Sequence, residues 1–238
     1  MSRHSRTLAA FAAACATALV ITGCGSLSSL KDFGAGVHSP AGKTYTITGH
    51  VNAVTLDTAG NVTVTGRSGS GPVTVTEELS YSKTPPATTR TVSGTTLTLA
   101  YACKAQLVCR VDYTINVPSG VAVHAESREG SITLTSVSGP VTAQTFTGLI
   151  TATGLASPTA VLKSGAGGVD ATFTSAPASL QASTDAGSIT LTVPGSVAYK
   201  VSAHAVVGVT SVTVRHSDSA GDAITAHSDL GDITIEPA

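Results

Sequence analysis

The sequence predicts an all-β protein, and three observations favour a β-solenoid of about 18–20 residues per coil. Short runs alternate Val, Ile or Leu with Thr, which is the period of a half-buried strand. Thr, Ser, Val and Gly number 37, 28, 26 and 24 of the 238 residues, and all four are mediocre or poor helix formers. Gly130, Gly139 and Gly148 are spaced by nine, and each precedes another alternating run.

The composition excludes several classes of protein. The formal net charge is −1, with 13 basic side chains and no basic run, so the chain lacks the electrostatic footprint of a nucleic-acid-binding protein. Val, Ile and Leu are too plentiful for a disordered chain. Aromatic residues make up 4% of the chain and Trp is absent, which fits a narrow core.

Residues 1–23 are typical of an export signal. Arg3 and Arg6 precede an apolar stretch at 8–21, which is too short to span a hydrocarbon core of about 30 Å as a stable helix. The stretch ends in ITGC at 21–24, which resembles the bacterial lipobox. That resemblance implies cleavage before Cys24 and a lipid on its sulfur. The alternative is an ordinary secretory signal in which Cys24 is incidental.

The cysteine count and the next segment agree with export. Cys15 leaves with the signal. If Cys24 carries lipid, Cys103 and Cys109 are left to pair, and we predict a disulfide at the end of a hairpin. Residues 24–43 are rich in Gly, Ser and Ala without any period. They are predicted to form a flexible tether.

The rest of the chain, 44–238, is predicted to be one continuous domain. Residues 44–119 form a more irregular β region that contains the disulfide hairpin, and 120–238 form the repeated coils. A β-sandwich is the alternative, since its strands and turns recur at about 8–12 residues. The alternation predicts that ten side chains point inward: Ile132, Leu134, Val141, Ala143, Ile150, Ala152, Val169, Ala171, Ile189 and Leu191.

The chain resembles a known family from about Gly60 to Glu236, and two segments carry most of the resemblance. They are VPSGVAVHAESREGSITLTSVSGPVTAQTFTG at 117–148 and AHSDLGDITIEPA at 226–238. These are similar to the bacterial putative-adhesin family, whose domains are punctuated by Gly-Asp turns. The resemblance implies a β-solenoid and a surface location, and it brings no catalytic residues. The chain departs from the family pattern at Gly130 and Gly187, which are followed by Ser, while Gly231 keeps the family's Asp.

Acidic residues near the turns are the first candidates for chemistry. Asp185 and Asp229 each lie two residues before a turn glycine, and Glu129 lies one before. Stacked coils could align such carboxylates for a cation or a polysaccharide. The favoured interpretation is an Asx-type turn closed by each Asp, because Ser164 is expected at the matching position of the intervening coil.

No metal, cofactor or catalytic site is predicted. GAGGVD at 165–170 resembles a single calcium-binding nonapeptide, but no second copy accompanies it, so a bare turn is favoured. No nucleophile elbow, phosphate-binding loop or dinucleotide fingerprint occurs. Ten further basic or histidine side chains are scattered without metal-ligand spacing or a nearby acid pair: His38, His50, His124, His204, His216, His227, Arg128, Lys163, Lys200 and Arg215.

The sequence therefore predicts a non-catalytic lipoprotein on the outer face of the bacterial cytoplasmic membrane. Its Thr- and Ser-lined faces are expected to contact cell-wall glycan or another envelope protein, with the residues of the binding site undetermined. Two alternatives stay open. One is a polysaccharide-active β-helix enzyme, and the other is a structural or envelope-stress protein without a ligand.

Overall fold

A computed structural model describes residues 36–238, which form strands and connecting turns without a helix. The all-β prediction is confirmed. The predicted signal at 1–23, the lipid site at Cys24 and the first part of the tether lie outside the described residues. Within residues 36–238 no helix has the length and apolar character needed to cross a membrane.

The described chain contains nineteen strands. Their bounds are β1 Lys43–Ile47, β2 Ala53–Thr58, β3 Val62–Arg67, β4 Val73–Tyr81, β5 Ala87–Ser93, β6 Thr96–Ala102, β7 Cys109–Pro118, β8 Ala122–Ser127, β9 Ile132–Thr135, β10 Val141–Thr147, β11 Ile150–Leu155, β12 Thr159–Ala166, β13 Val169–Phe173, β14 Ser179–Ala186, β15 Ile189–Val193, β16 Lys200–Val207, β17 Thr210–Val212, β18 Ala223–Leu230 and β19 Ile233–Pro237.

The strands form two mixed sheets. The ten-stranded sheet has the order β1-β4-β7-β3-β9-β11-β13-β15-β19-β17, and the nine-stranded sheet has the order β16-β18-β14-β12-β10-β8-β2-β6-β5. From β8 to β15 successive strands alternate between the two sheets. Each strand pairs in parallel with the strand two places later in the chain, which lies in the same sheet. A two-strand unit here means one strand of the nine-stranded sheet and the next strand, in the ten-stranded sheet. In β10, Val141 pairs with Val123 and Ala160 of the neighbouring units.

The two-strand units do not stack in chain order at the ends. The β2–β3 unit lies between β6–β7 and β8–β9, and the β18–β19 unit lies between β14–β15 and β16–β17. Antiparallel pairing among the described strands is confined to one end, where β1, β4 and β5 close the stack. Within the region predicted to be irregular, 44–119, these three strands form a cap on that end, whereas the β2–β3 and β6–β7 units belong to the parallel stack.

The core lies between the sheets because alternate residues of each strand point to the same side. All ten side chains predicted to point inward are buried. The core is less poor in aromatic rings than the composition suggested, since Tyr113, Phe173 and Tyr199 are also buried. Residues 36–238 form one compact unit that contains this whole core, which is what independent folding of a domain requires.

Glycines and hydroxyls at the turns join one unit to the next. The backbone at Gly167 has φ +144°, and a Cβ there would lie 2.1 Å from the carbonyl oxygen of Gly148. Beside each such contact a hydroxyl donates to the turn carbonyl: Ser164 Oγ to Gly148 O at 2.8 Å and Thr184 Oγ1 to Gly167 O at 2.7 Å. A Ser/Thr-x-x-Gly pattern in the sequence marks these positions.

The predicted disulfide is confirmed. Cys103 and Cys109 are bonded across the turn between β6 and β7. Within the segment predicted as a tether, His38 contacts the capped end of the stack: its N–H donates to Tyr81 O at 2.8 Å, and its O accepts from Tyr81 N–H at 3.1 Å. Lys43 opens the first strand.

Candidate binding surface

The outer face of the ten-stranded sheet displays aligned hydroxyls, because Thr alternates with the buried aliphatic residues. We call this surface the threonine face. One row crosses all ten strands and contains, in sheet order, Thr44, Thr76, Thr114, Thr63, Thr133, Thr151, Asp170, Thr190, Thr234 and Ser211. A second row, two residues further along, includes Thr65, Thr135, Thr153 and Thr192.

The threonine face is a grid of hydroxyls that also carries two acids, Asp170 in the first row and Glu236 beside Thr192 in the second. Neighbouring strands lie about 4.8 Å apart, and alternate residues of one strand lie about 6.6 Å apart. Each hydroxyl can both donate and accept a hydrogen bond. Two hydroxyls of the grid bond to each other, Thr44 Oγ1 to Thr76 Oγ1 at 2.8 Å. This face therefore offers many equivalent, weak polar contacts.

The outer face of the nine-stranded sheet is chemically different. Around a shallow depression of about 190 Å³ lie five side chains that we call the Phe146 patch: Asp57, Glu126, Arg128, Gln144 and Phe146. The register places Asp57 opposite Glu126, and Glu126 opposite Gln144, on neighbouring strands. Arg128 Nη2 lies 3.7 Å from Asp57 Oδ2.

Phe146 is the exposed ring of this patch, with 76% of its surface accessible. Its neighbour on the next unit is Gly165, where a Cβ would lie 2.5 Å from Phe146 O. No larger residue fits there, so that flank of the ring carries no side chain. A free aromatic face beside carboxylate, guanidinium and amide groups can stack on an apolar surface while hydrogen-bonding the polar groups around it.

Three histidines are paired with acids two residues further on, which the sequence analysis did not recognise. His124 Nε2 lies 3.0 Å from Glu126 Oε1, His216 Nε2 3.1 Å from Asp218 Oδ1, and His227 Nε2 2.9 Å from Asp229 Oδ1. For His124 in β8 and His227 in β18 the signal is His-x-Asp/Glu, since residues i and i+2 of a strand share a face. His216 and Asp218 lie between β17 and β18, outside the strands. Within residues 36–238, no three metal-ligating side chains converge.

Of the acids predicted near the turns, Asp229 has another partner than the expected backbone N–H groups. The register places Asp185 beside Asp229 on neighbouring strands, between the Thr184–Ser228 and Ala186–Leu230 pairs. Asp229 bonds His227. The prediction that Ser164 matches Asp185 is wrong: Ser164 pairs with Thr184, which leaves Gly165 opposite Asp185. The carbonyls at the turns are bonded by hydroxyls, because a hydroxyl can donate to them and a carboxylate cannot.

Among the remaining candidate residues of the described chain, Arg128 alone lies beside an acid pair, Asp57 and Glu126. The 165–170 segment divides between the end of β12 and the start of β13, and Asp170 lies on the threonine face. Arg215 donates to Gly195 O at 3.1 Å and to Ser196 O. Glu129 lies in a cleft of about 400 Å³ beside the disulfide turn, and a cleft of about 580 Å³ near His50 contains no carboxylate.

A buried ion pair lies in the capped end, and the sequence analysis missed it. Glu77 points inward from β4 with 3% of its side chain exposed, and Arg90 Nη1 binds its two oxygens at 2.9 and 3.0 Å. The guanidinium covers the ring of Tyr45 at 3.6 Å. Nearby, the Tyr113 hydroxyl is buried without a partner in the described chain. Burial raises the pKa of Tyr113 well above its usual value.

Comparisons with known proteins give weak similarities. No family model and no curated protein matches the chain. A solved putative cell adhesion protein from Clostridium sporogenes is 15% identical, over 84% of this chain and 100% of that one, with a TM-score of 0.49. A putative adhesin from Bacteroides fragilis is 19% identical, over 85% and 97%, with a TM-score of 0.44. At such scores these similarities carry no conclusion about function.

Proposed function

We propose that this chain is a non-catalytic, exported protein of the bacterial cell envelope that binds cell-wall glycan through the Phe146 patch. We further infer that the stack is a β-solenoid. Two features favour this architecture over a sandwich. Successive strands alternate between the sheets, and neighbouring strands within each sheet pair in parallel along most of the stack, whereas the sheets of immunoglobulin-type sandwiches are antiparallel. The lipobox-like sequence before Cys24 supports a lipid anchor on the outer face of the cytoplasmic membrane.

The single observation that carries the proposal is the exposed ring of Phe146 beside groups that bond hydroxyls. A sugar ring presents an apolar face and a rim of hydroxyls, so it matches an aromatic ring flanked by Gln144, Glu126 and Arg128. Two carboxylates face one guanidinium, which favours neutral or amino sugars over acidic polysaccharides. Strands β8 and β10 fix the backbone positions of Glu126, Gln144 and Phe146 before binding, which limits the loss of conformational entropy.

The threonine face is the other candidate surface, as the sequence predicts. A single exposed hydroxyl gains little from a ligand, because it gives up its bonds to water. Binding there would require a repetitive ligand that makes many contacts at once. The face could equally contact another envelope protein. The Phe146 patch is preferred because it supplies apolar area and charged hydrogen-bonding groups at one place.

A polysaccharide-active enzyme is favoured by one observation, the register pairing of Asp57 with Glu126 beside Arg128. Glycosidases use two carboxylates about 5–9 Å apart, one of which is kept protonated by its surroundings. Asp57 and Glu126 are exposed to 52% and 48%. Solvent reaches both, and nothing in the patch shields one from water as a general acid requires, so binding is the better proposal.

The test is co-sedimentation of a 36–238 fragment with insoluble peptidoglycan. We expect saturable binding that Phe146→Thr weakens about fivefold to tenfold, the value of an aromatic contact. Thr151→Val on the threonine face is the matched control and should bind as the wild type does. An acidic polysaccharide should not compete.

Three results would contradict the proposal. They are no binding by the wild type, equal loss in both variants, and release of soluble sugar fragments from the peptidoglycan. Loss confined to Thr151→Val would move the site to the threonine face.

A further inference from the structure

We propose that the stack self-associates through its open end, where β16 and β17 accept a second copy of this chain about a two-fold axis. Among the described strands, β16 pairs only with β18 and β17 only with β19. No other described strand pairs with their second edges. Directly before β16, however, the segment 215–217 bonds Tyr199, whose N–H donates to Arg215 O at 2.9 Å and whose O accepts from Ser217 N–H at 3.0 Å. On that side of β16, Val201 N–H donates to His216 Nδ1 at 3.3 Å. Unpaired strand edges are templates for pairing with another chain.

The open end is apolar where a solvent-facing end is normally charged. Val206, Val207 and Val209 are 58%, 59% and 68% exposed. The register matches Val206 to Asp229 and Val209 to Asp232 in the β18–β19 unit that lies beneath. The outermost unit thus carries valine at places where the covered unit carries acid, which is the reverse of a solvent cap.

The core is also incompletely covered at this end. Val201 and Ala203 point inward from β16 but are only half-buried, whereas Ile224 and Ala226, their partners in β18, are buried. The opposite end finishes in the antiparallel strands β1 and β5, which also have one edge each that is unpaired among the described strands. The two ends differ in their side chains, because Arg90 and Glu77 form an ion pair at that end, whereas the β16–β17 end exposes three valines.

A second copy fits this end better than a single extended peptide does. Both sheets end at the same unit, so a complete partner must offer two strand edges about 10 Å apart, and a lone peptide offers one. A copy rotated about an axis normal to the sheets places β16 antiparallel to its own counterpart, and β17 likewise. An axis at His204 puts Val207 opposite Val201 of the second copy and Val206 opposite Ser202. This contact is isologous and closes at the dimer.

The area of the β16–β17 end limits the affinity of the proposed dimer. β16 has eight residues, which is about 26 Å of strand, and two sheets with their outer side chains are about 20 Å thick. The end then buries about 500 Å² per copy, or about 1,000 Å² in total, the lower limit for a specific interface. We therefore expect a weak dimer with a micromolar or higher Kd.

The first experiment is analytical ultracentrifugation of the 36–238 fragment from about 1 μM to about 1 mM. We expect a monomer–dimer equilibrium. The double variant Val206→Asp/Val209→Asp places acid where the β18–β19 unit already carries it, and it should raise the dimer Kd at least about tenfold. Val92→Asp is the control, since Val92 is 45% exposed on β5, at the opposite end. That variant should dimerise as the wild type does.

A second measurement checks the two-fold axis. His204→Cys, near the middle of β16, should form a disulfide-linked dimer under oxidising conditions, because a two-fold axis brings the residue close to its own copy. Thr91→Cys on β5 should stay monomeric. A monomer throughout the concentration range, growth into larger polymers, or equal weakening by Val92→Asp would each overturn the proposal.

Discussion

Replacing Gly167 by Ala should lower the free energy of unfolding by more than an ordinary surface substitution does. The new Cβ would lie 2.1 Å from Gly148 O, against about 3.4 Å for ordinary contact, so the two strands must separate. Two hydrogen bonds join these turns: Gly148 N–H donates to Ala166 O at 2.9 Å, and Ser164 Oγ donates to Gly148 O at 2.8 Å. Losing these two bonds costs about 1 kcal/mol each.

The backbone adds a second term to the destabilisation. At φ +144° a residue with a side chain is strained by about 1–3 kcal/mol. The expected total is a loss of about 3–5 kcal/mol in the free energy of unfolding, which is a large part of the stability of a typical domain. Urea unfolding of the 36–238 fragment measures it, as a lower midpoint at unchanged slope.

Substitutions at two other glycines distinguish the steric clash from the backbone strain. Gly154 has φ +65° but its nearest neighbour, Ser136 Oγ, is 3.9 Å from an added Cβ, so Gly154→Ala should lose only about 1–2 kcal/mol from strain. Gly120 has open space around it and is not in the positive-φ region, so Gly120→Ala should be neutral or slightly stabilising. If Gly167→Ala and Gly154→Ala unfold at the same urea concentration, close stacking of the units is not the cause.

Two further predictions concern the ion pair and the anchor. Arg90→Leu leaves the buried Glu77 carboxylate without its cation and should destabilise the fragment by about 2–3 kcal/mol. This is less than the loss of about 3–5 kcal/mol typical of breaking a fully buried ion pair, because the Arg90 side chain is 27% exposed. Adding Glu77→Leu should recover most of that loss in the same urea titration, and a double variant as unstable as the single one would contradict this account. For the anchor, a palmitate analogue should label the full chain and not Cys24→Ala, and unchanged membrane association of that variant would refute lipidation.

Local pattern was enough to predict part of the candidate site. The Thr–aliphatic alternation predicted which side chains point outward, and the threonine face follows from it. The Phe146 patch did not follow, because Asp57 and Glu126 are 69 positions apart in the sequence and meet only through the pairing of β2 with β8. Two His-x-acid pairs, His124–Glu126 and His227–Asp229, could have been predicted from strand periodicity, whereas His216 and Asp218 lie outside the strands. None of the three has the spacing of a known metal motif.

The sequence by itself determined the strand class, the inward side chains, the disulfide turn and the approximate length of chain per unit. Each depends on neighbours in the chain: the two-residue period, the spacing of glycines, or two cysteines six positions apart. The tertiary structure alone decided that β2–β3 and β18–β19 are enclosed by units later or earlier in the chain. Periodicity specifies the side of a strand that faces the core, whereas its pairing partner is chosen by packing over the whole stack. That choice leaves one end capped and the other, at β16 and β17, open.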